Sequence, residues 1–156
     1  TWRAYADGKS GLVHAPTGVG KTYAVWLGPV IEYLKAENGP ESRISGKLRR
    51  AEAEPLRALW ITPLKALAAD TASALKAPID ALGLRWTIES RTGDTSATLR
   101  AKQRERLPTA LTTTPESLSL FLSRPTTRDA FATAQHAAIQ GHTWHARAAQ
   151  LLEVAL

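Results

Sequence analysis

The stretch Ala15 to Thr22, reading APTGVGKT, constrains this chain more than any other. It follows a short apolar run, Gly11 to His14, and opens a helix-like pattern near Lys21. An apolar strand, a glycine loop and a Lys-Thr pair starting a helix together make the physical recipe for holding a nucleotide's phosphates. The backbone N–H groups of Gly18, Val19, Gly20 and Lys21 are expected to converge on a β-phosphate, because glycines let the main chain approach closely. Lys21 then reaches the β- and γ-phosphates, and the Thr22 hydroxyl is placed to ligate Mg²⁺. The general pattern begins with Gly where this chain has Ala15, followed by Pro16 and Thr17.

Around that loop the chain alternates. Leu12 to His14 is the expected first strand. Thr22 to Lys35 carries Val25, Trp26, Leu27, Val30, Ile31 and Leu34 at helical spacing, with a kink expected at Gly28-Pro29. Residues 36–57 are charged and punctuated by Gly39-Pro40, Gly46 and Pro55. They predict a long surface connection, with room for a short helix near Leu48 to Glu54. Ala58 to Ile61 is a continuous apolar run of the kind buried in a parallel sheet. Thr62-Pro63 is the expected start of a helix to about Leu82, with Thr62 as N-cap and Pro63 first in the helix. Leu84 to Glu89 alternates as a half-buried strand, Gly93-Asp94 marks a turn, and Thr98 to Arg106 is a basic helical segment. Ala110 to Thr113 is a further strand, and Thr114-Pro115 repeats the Thr-Pro helix start.

Strands alternating with helices predict a mostly parallel sheet covered by helices on both faces. In such sheets, ligands bind beyond the carboxyl ends of the strands. The phosphate loop, both Thr-Pro junctions and the turn Arg91 to Asp94 all occur at strand-to-helix junctions, so all four are expected on one edge. The hydroxyls of Thr62 and Thr114, with the Lys65 ammonium, could meet phosphate oxygens there; each Thr-Pro pair is equally readable as a simple helix cap. Arg91, Arg100, Lys102, Arg104 and Arg106 either line the same track or form a solvated helix face.

Composition narrows the partners. Lys and Arg number 20 against 14 Asp and Glu, a net charge of +6 that suits a polyanion. There is no cysteine, which removes disulfides, thiolate chemistry and cysteine zinc sites. His136, His142 and His145 lack carboxylate or thiol companions at metal-site spacing, and no metal is expected on them. No apolar run is long enough for a membrane span, so a cytoplasmic location is the default expectation. The chain starts at Thr1 and holds no methionine, which is expected of a fragment.

The motifs APTGVGKT, LWITPLKALAAD (59–70), RTGDTS (91–96) and TTPESL (113–118) together resemble the ordered motifs of superfamily-two DEAD/DEAH-box helicases. The wording is most similar to the large helicase-related (Lhr) group, including the ligase-associated DEXH-box helicases of bacteria. In that family Ala at the start of the loop is the expected residue. The resemblance spans about residues 1–130 and implies a RecA-like P-loop domain, here incomplete. It further implies that Ala15 to Thr22 bind ATP·Mg²⁺. Thr62, Pro63 and Lys65, then Arg91, Gly93 and Asp94, then Thr113, Thr114, Pro115 and Glu116 would belong to the nucleic-acid-contacting motifs. The implied partners are single-stranded DNA and a second RecA-like domain; 3′-to-5′ translocation and DNA repair are implied in the same way.

The family's next motif is an apolar strand ending in Asp-Glu-x-His, whose carboxylates support Mg²⁺ and the attacking water. Here residues 131–156 form a divergent tail. Ala137 to Ile139 could be the remains of that strand. The two acids would be replaced by His142 and Thr143, or by Gln140 and Gly141, in alternative alignments. No acidic residue stands between Asp129 and Glu153. A degenerate paralogue, a deletion and a frameshift are all open explanations. Residues 146–154 suggest a terminal helix. The expected function is the first motor domain of an ATP-dependent DNA helicase, deficient in hydrolysis alone. The alternative is a non-catalytic nucleotide- or nucleic-acid-binding module.

Overall fold

A computed structural model describes residues 2–16, 18–37 and 55–141, the last seven of these as backbone only. The expectations for residues 38–54 and 142–156, including both short helices, lie outside the described residues. The described residues fall into two compact units, one ending at Glu37 and one beginning at Pro55.

The first unit pairs α1 (Trp2–Ala6) with α2 (Lys21–Glu37). A five-residue helix has too few hydrogen bonds to stand alone, so its stability must come from packing. Tyr5 supplies it. Its hydroxyl donates to Glu32 Oε2 at 2.8 Å. Its ring lies against Gly28, where an added Cβ would meet the ring's Cγ at 3.0 Å. Close approach of this ring thus accounts for Gly28. One helix runs from Lys21 to Glu37 with Pro29 inside it, at the place where a kink was expected. Trp26 and Val30 form the buried side of α2.

Leu12 to His14 does not form the expected strand. Leu12 is 92% exposed, and no ladder partner for this run exists among the described residues. An apolar run reports a wish for burial; only a neighbouring strand makes it a strand.

The second unit is α/β. In chain order it comprises β1 (Ala58–Ile61), α3 (Lys65–Ala81), β2 (Ile88–Arg91), α4 (Ala97–Glu105), β3 (Ala110–Thr113), α5 (Pro115–Leu122) and α6 (Pro125–Gly141). The three strands are parallel in the order β1-β3-β2. The central strand β3 is buried along its whole length. Its threonines survive there because their hydroxyls are satisfied: Thr112 donates to Ala68 O at 2.8 Å, and Thr113 to Arg91 O at 2.7 Å. Ala68, Leu75 and Ile79 of α3 and Leu118 and Phe121 of α5 complete the core.

The second strand begins four residues later than its alternating pattern suggested, at Ile88 rather than Leu84. Its partner decides this. Pro108 can donate nothing to a ladder, so β3 starts only at Ala110. Thr87 and Thr109 close the open end by reciprocal bonds, Thr87 N to Thr109 Oγ1 at 3.1 Å and Thr109 N to Thr87 Oγ1 at 3.0 Å. Residues 137–139 also differ from expectation: they belong to the helix α6, not to a residual strand.

Candidate functional site

In the first unit, the loop before α2 is shaped by two glycines. Gly18 and Gly20 have φ of 83° and 81°, the left-handed region that side chains resist. Beyond the adjoining residues, no atom of the described residues lies within 4 Å of a Cβ position on either, which leaves room there for a ligand to approach. The helix ladder starts with Ala24 N donating to Gly20 O at 2.9 Å. The amides of Lys21, Thr22 and Tyr23 therefore have no partner within the helix, the arrangement that favours an anion. Lys21 Nζ folds back over the loop and donates to Ala15 O at 2.6 Å and Pro16 O at 2.5 Å. These carbonyls hold the ammonium at the loop without neutralising it. Thr22 is half-buried beside it; Thr17 lies outside the described residues.

In the second unit the register brings three junctions together. Ile61, Thr113 and Arg91 are aligned across the sheet, so the chain leaves all three strands at one level. Beyond β1, Thr62 N donates to Thr113 O at 2.9 Å, while its hydroxyl donates to Leu64 O at 2.9 Å. The helix after it starts at Lys65 behind Leu64, with no side-chain cap. Thr62 is therefore not the N-cap, and Pro63 precedes the helix rather than opening it. Beyond β3 the same dipeptide behaves as expected. Thr114 caps α5 by accepting from Ser117 N at 3.3 Å, Pro115 begins the helix, and exposed Glu116 sits in its first turn. Both Thr62 and Thr114 are buried, at 6% and 4% exposure. Their hydroxyls build the edge; the solvent-facing groups on it are Pro63, Lys65, Gly93, Asp94, Pro115 and Glu116.

The turn beyond β2 is held by its own threonines. Thr92 N donates to Thr95 Oγ1 at 2.9 Å, and Asp94 N to Thr92 Oγ1 at 3.3 Å. Ser96 then caps α4. Lys65 Nζ reaches Asp94 Oδ1 at 3.2 Å, joining this turn to the start of α3. The two residues line an open cleft of about 510 Å³ with Ala69, Ser90, Thr92 and Thr95.

Arg91 points to the other face. Its guanidinium stacks 3.7 Å above the Phe121 ring and donates to Gln103 Oε1 at 3.1 Å. Burial, then the charges of Arg100, Arg104 and Arg124, hold its pKa below the ordinary arginine value. Gln103 is fully buried and also donates to Glu89 Oε2 and Ser90 O. Sequence reasoning missed Gln103, although its four-residue spacing from Leu99 marks it as facing inward. Among the described residues no group of three acids, histidines or cysteines could hold a metal, and no helix is long and apolar enough to cross a membrane.

Comparison with known proteins decides the family. The pattern of the DEAD/DEAH box helicases matches residues 1–138. The chain belongs to that family. Within it, the chain is 35% identical over 133 residues to the Lhr helicase/uracil glycosylase of Escherichia coli, covering 79% of this chain and 8% of that protein. It is 30% identical over 138 residues to the ATP-dependent helicase Lhr-Core of Methanothermobacter thermautotrophicus, covering 83% and 15%. The structure of Mycobacterium smegmatis helicase Lhr bound to ssDNA and AMP-PNP is similar at 30% identity and a TM-score of 0.52, over 80% of this chain and 15% of that one. The DUF1998 helicase MrfA is similar at 28% identity and a TM-score of 0.62, over 83% and 18%. This DEAD/DEAH box chain thus spans a small part of the length of its relatives. Its α/β architecture agrees with the RecA-like fold expected from its motifs, and its affinities are to the Lhr group.

Proposed function

We propose that this chain is the ATP-binding and nucleic-acid-tracking portion of a helicase motor domain, with residues 1–130 as its family-like part and 131–156 as a divergent tail. The observation that carries this is the loop Ala15 to Thr22, in which left-handed glycines, helix amides without a partner inside the helix and a retained lysine fit a triphosphate. Gly18, Val19, Gly20 and Lys21 would hold the β- and γ-phosphates, and Thr22 would ligate the Mg²⁺ that offsets their charge. Single-stranded DNA is the preferred polyanion, because the similar Lhr structure carries ssDNA with AMP-PNP. Its backbone would cross the edge formed by Pro63, Lys65, Gly93, Asp94, Pro115 and Glu116, with Thr62, Thr113 and Thr114 supporting that edge from beneath. A second RecA-like domain, a cytoplasmic setting and a part in DNA repair complete this reading.

A non-catalytic variant of the reading is favoured by one observation. A helix occupies residues 125–141, and no acid follows Asp129 until Glu153. Without a carboxylate to position water, binding is retained and hydrolysis is not. The 156-residue chain is expected to bind oligo-dT and ATP, with phosphate release at background even when both are present. DNA-stimulated phosphate release by this chain would overturn the non-catalytic reading; failure to bind either ligand would overturn the whole.

The Lys65–Asp94 pair gives a second check. Both side chains are exposed, so the pair itself contributes little, but Asp94 places a negative charge where a phosphate would sit. Asp94→Asn is expected to tighten oligo-dT binding about two- to fivefold, measured by fluorescence anisotropy. A weaker or unchanged affinity would remove Lys65 from the track.

A further inference from the structure

Alternation along β2 sends Ser90 into the cleft beside Lys65 and sends Arg91 to the opposite face. There Arg91 meets a group of cations that the edge does not use. Arg100 Nη2 donates to Thr92 O at 3.4 Å and also to Gly93 O, which anchors it on the turn. Arg104 follows one helical turn later on α4, next to Gln103. Arg124 stands just beyond α5, whose Phe121 carries the Arg91 guanidinium.

Among the described residues this group has no ion-pairing acid of its own: none of the four arginines has a carboxylate partner there, and the ion pairs nearest them are Lys65–Asp94 and Lys102–Glu89. Glu89, the nearby acid, is taken by Lys102 Nζ at 3.0 Å and Gln103 Nε2 at 3.1 Å. Gln103 fixes one edge of the Arg91 guanidinium, and the Phe121 ring fixes its plane. The remaining Arg91 donors make no hydrogen bond among the described residues. Four like charges held together are mutually repulsive; the pKa of Arg91, lowered first by burial, is lowered further by Arg100, Arg104 and Arg124. An anion carrying more than one charge relieves it, and guanidinium forks match phosphate oxygens in pairs.

We infer that Arg91, Arg100, Arg104 and Arg124 form a second phosphate-holding site, which takes nucleic-acid backbone continuing past the Gly93-Asp94 turn. This rests on the reading of the strand-end edge as a nucleic-acid track, and Arg100 is the physical link, bonded to the turn that Lys65 also reaches. Arg91 and Arg100 are fixed in the protein; exposed Arg104 and Arg124 are the arms that close on the strand.

The test compares fluorescein-labelled oligo-dT of about 5 and about 15 nucleotides, a span bracketing one small binding site, across a KCl series. For the wild-type chain the longer strand should bind more tightly and with the steeper salt dependence. In Arg104→Gln/Arg124→Gln the affinity for the short strand should be unchanged. The affinity for the long strand should fall at least tenfold, with a log–log salt slope shallower by about 1.4, from ~0.7 per lost contact to a single strand. The same slope and affinity as wild type for the long strand would overturn the second site. The edge itself would still stand if Lys65→Glu loses the short strand. If the wild-type chain binds neither strand, both readings fall together. Both variant positions are exposed, so melting should be unaltered; an equal loss for both strands would mark general damage and would also overturn the site.

Discussion

ATP with Mg²⁺ is expected to raise the melting temperature of the wild-type chain, and replacing Lys21 by Ala is expected to abolish that rise. A ligand that binds only the folded state stabilises it by RT ln(1 + [L]/Kd), about 2.7 kcal/mol at a hundred times Kd. Lys21 is the charged group at the loop, so its loss should move Kd by two orders of magnitude or more and leave almost no shift. The substitution should not harm the protein itself. Among the described residues Lys21 Nζ bonds to the carbonyls of Ala15 and Pro16 alone, and alanine is the better helix former at the first position of α2. Differential scanning fluorimetry with and without nucleotide separates the outcomes. Undiminished protection in Lys21→Ala would mean that nucleotide is held elsewhere.

The second large effect concerns stability. Phe121 is 1% exposed, packs edge-on against Phe131 with ring centroids 5.7 Å apart, and carries the Arg91 guanidinium on its face. Phe121→Ala opens a cavity at the centre of the second unit, a loss of about 3–5 kcal/mol. It also leaves the half-buried Arg91 without its ring, a further ~1 kcal/mol. Against a typical domain stability of about 5–15 kcal/mol, this is roughly a quarter or more of the total. Phe121→Leu keeps most of the volume and should cost about 1–2 kcal/mol. Urea unfolding should show the alanine midpoint far below the leucine one. Equal midpoints would mean that the ring's packing is not what holds α5 to the sheet.

Several elements were legible because local chemistry alone determines them. Ala110 to Thr113 is a strand over its predicted length, and Thr114-Pro115 starts a helix as its residues suggest. Thr62-Pro63 shows the limit of that approach. The same dipeptide fails to cap, because Leu64 stays extended with φ −120° and ψ 136°, and the Thr62 hydroxyl turns to Leu64 O. Where Ser117 offers both an amide and a hydroxyl to Thr114, Leu64 and Lys65 offer no equivalent side-chain partner. The start of β2 was illegible for a different reason: it depends on Pro108, twenty residues away in the chain. Leu12 to His14 failed as a strand because apolar character specifies burial and not a partner. At the candidate site, the loop and the turn could be read from their glycines. The spacing from Leu99 could place Gln103 inward but could not give its role, because its partners Arg91 and Glu89 lie on another element.

The Tyr5 contact with α2 has a consequence for the phosphate loop. By docking α1 onto α2, it converts residues 7–20 from a free connection into a closed ring of chain, tied at both ends. Closing a loop of that size costs about 2 kcal/mol of chain entropy, and here the cost is met on folding rather than on ligand arrival. The glycines remain free to adjust, but the ends cannot drift apart. If the loop holds nucleotide as proposed, its affinity would be coupled to a tyrosine far from the phosphates in sequence, through the number of conformations the empty loop is allowed to visit.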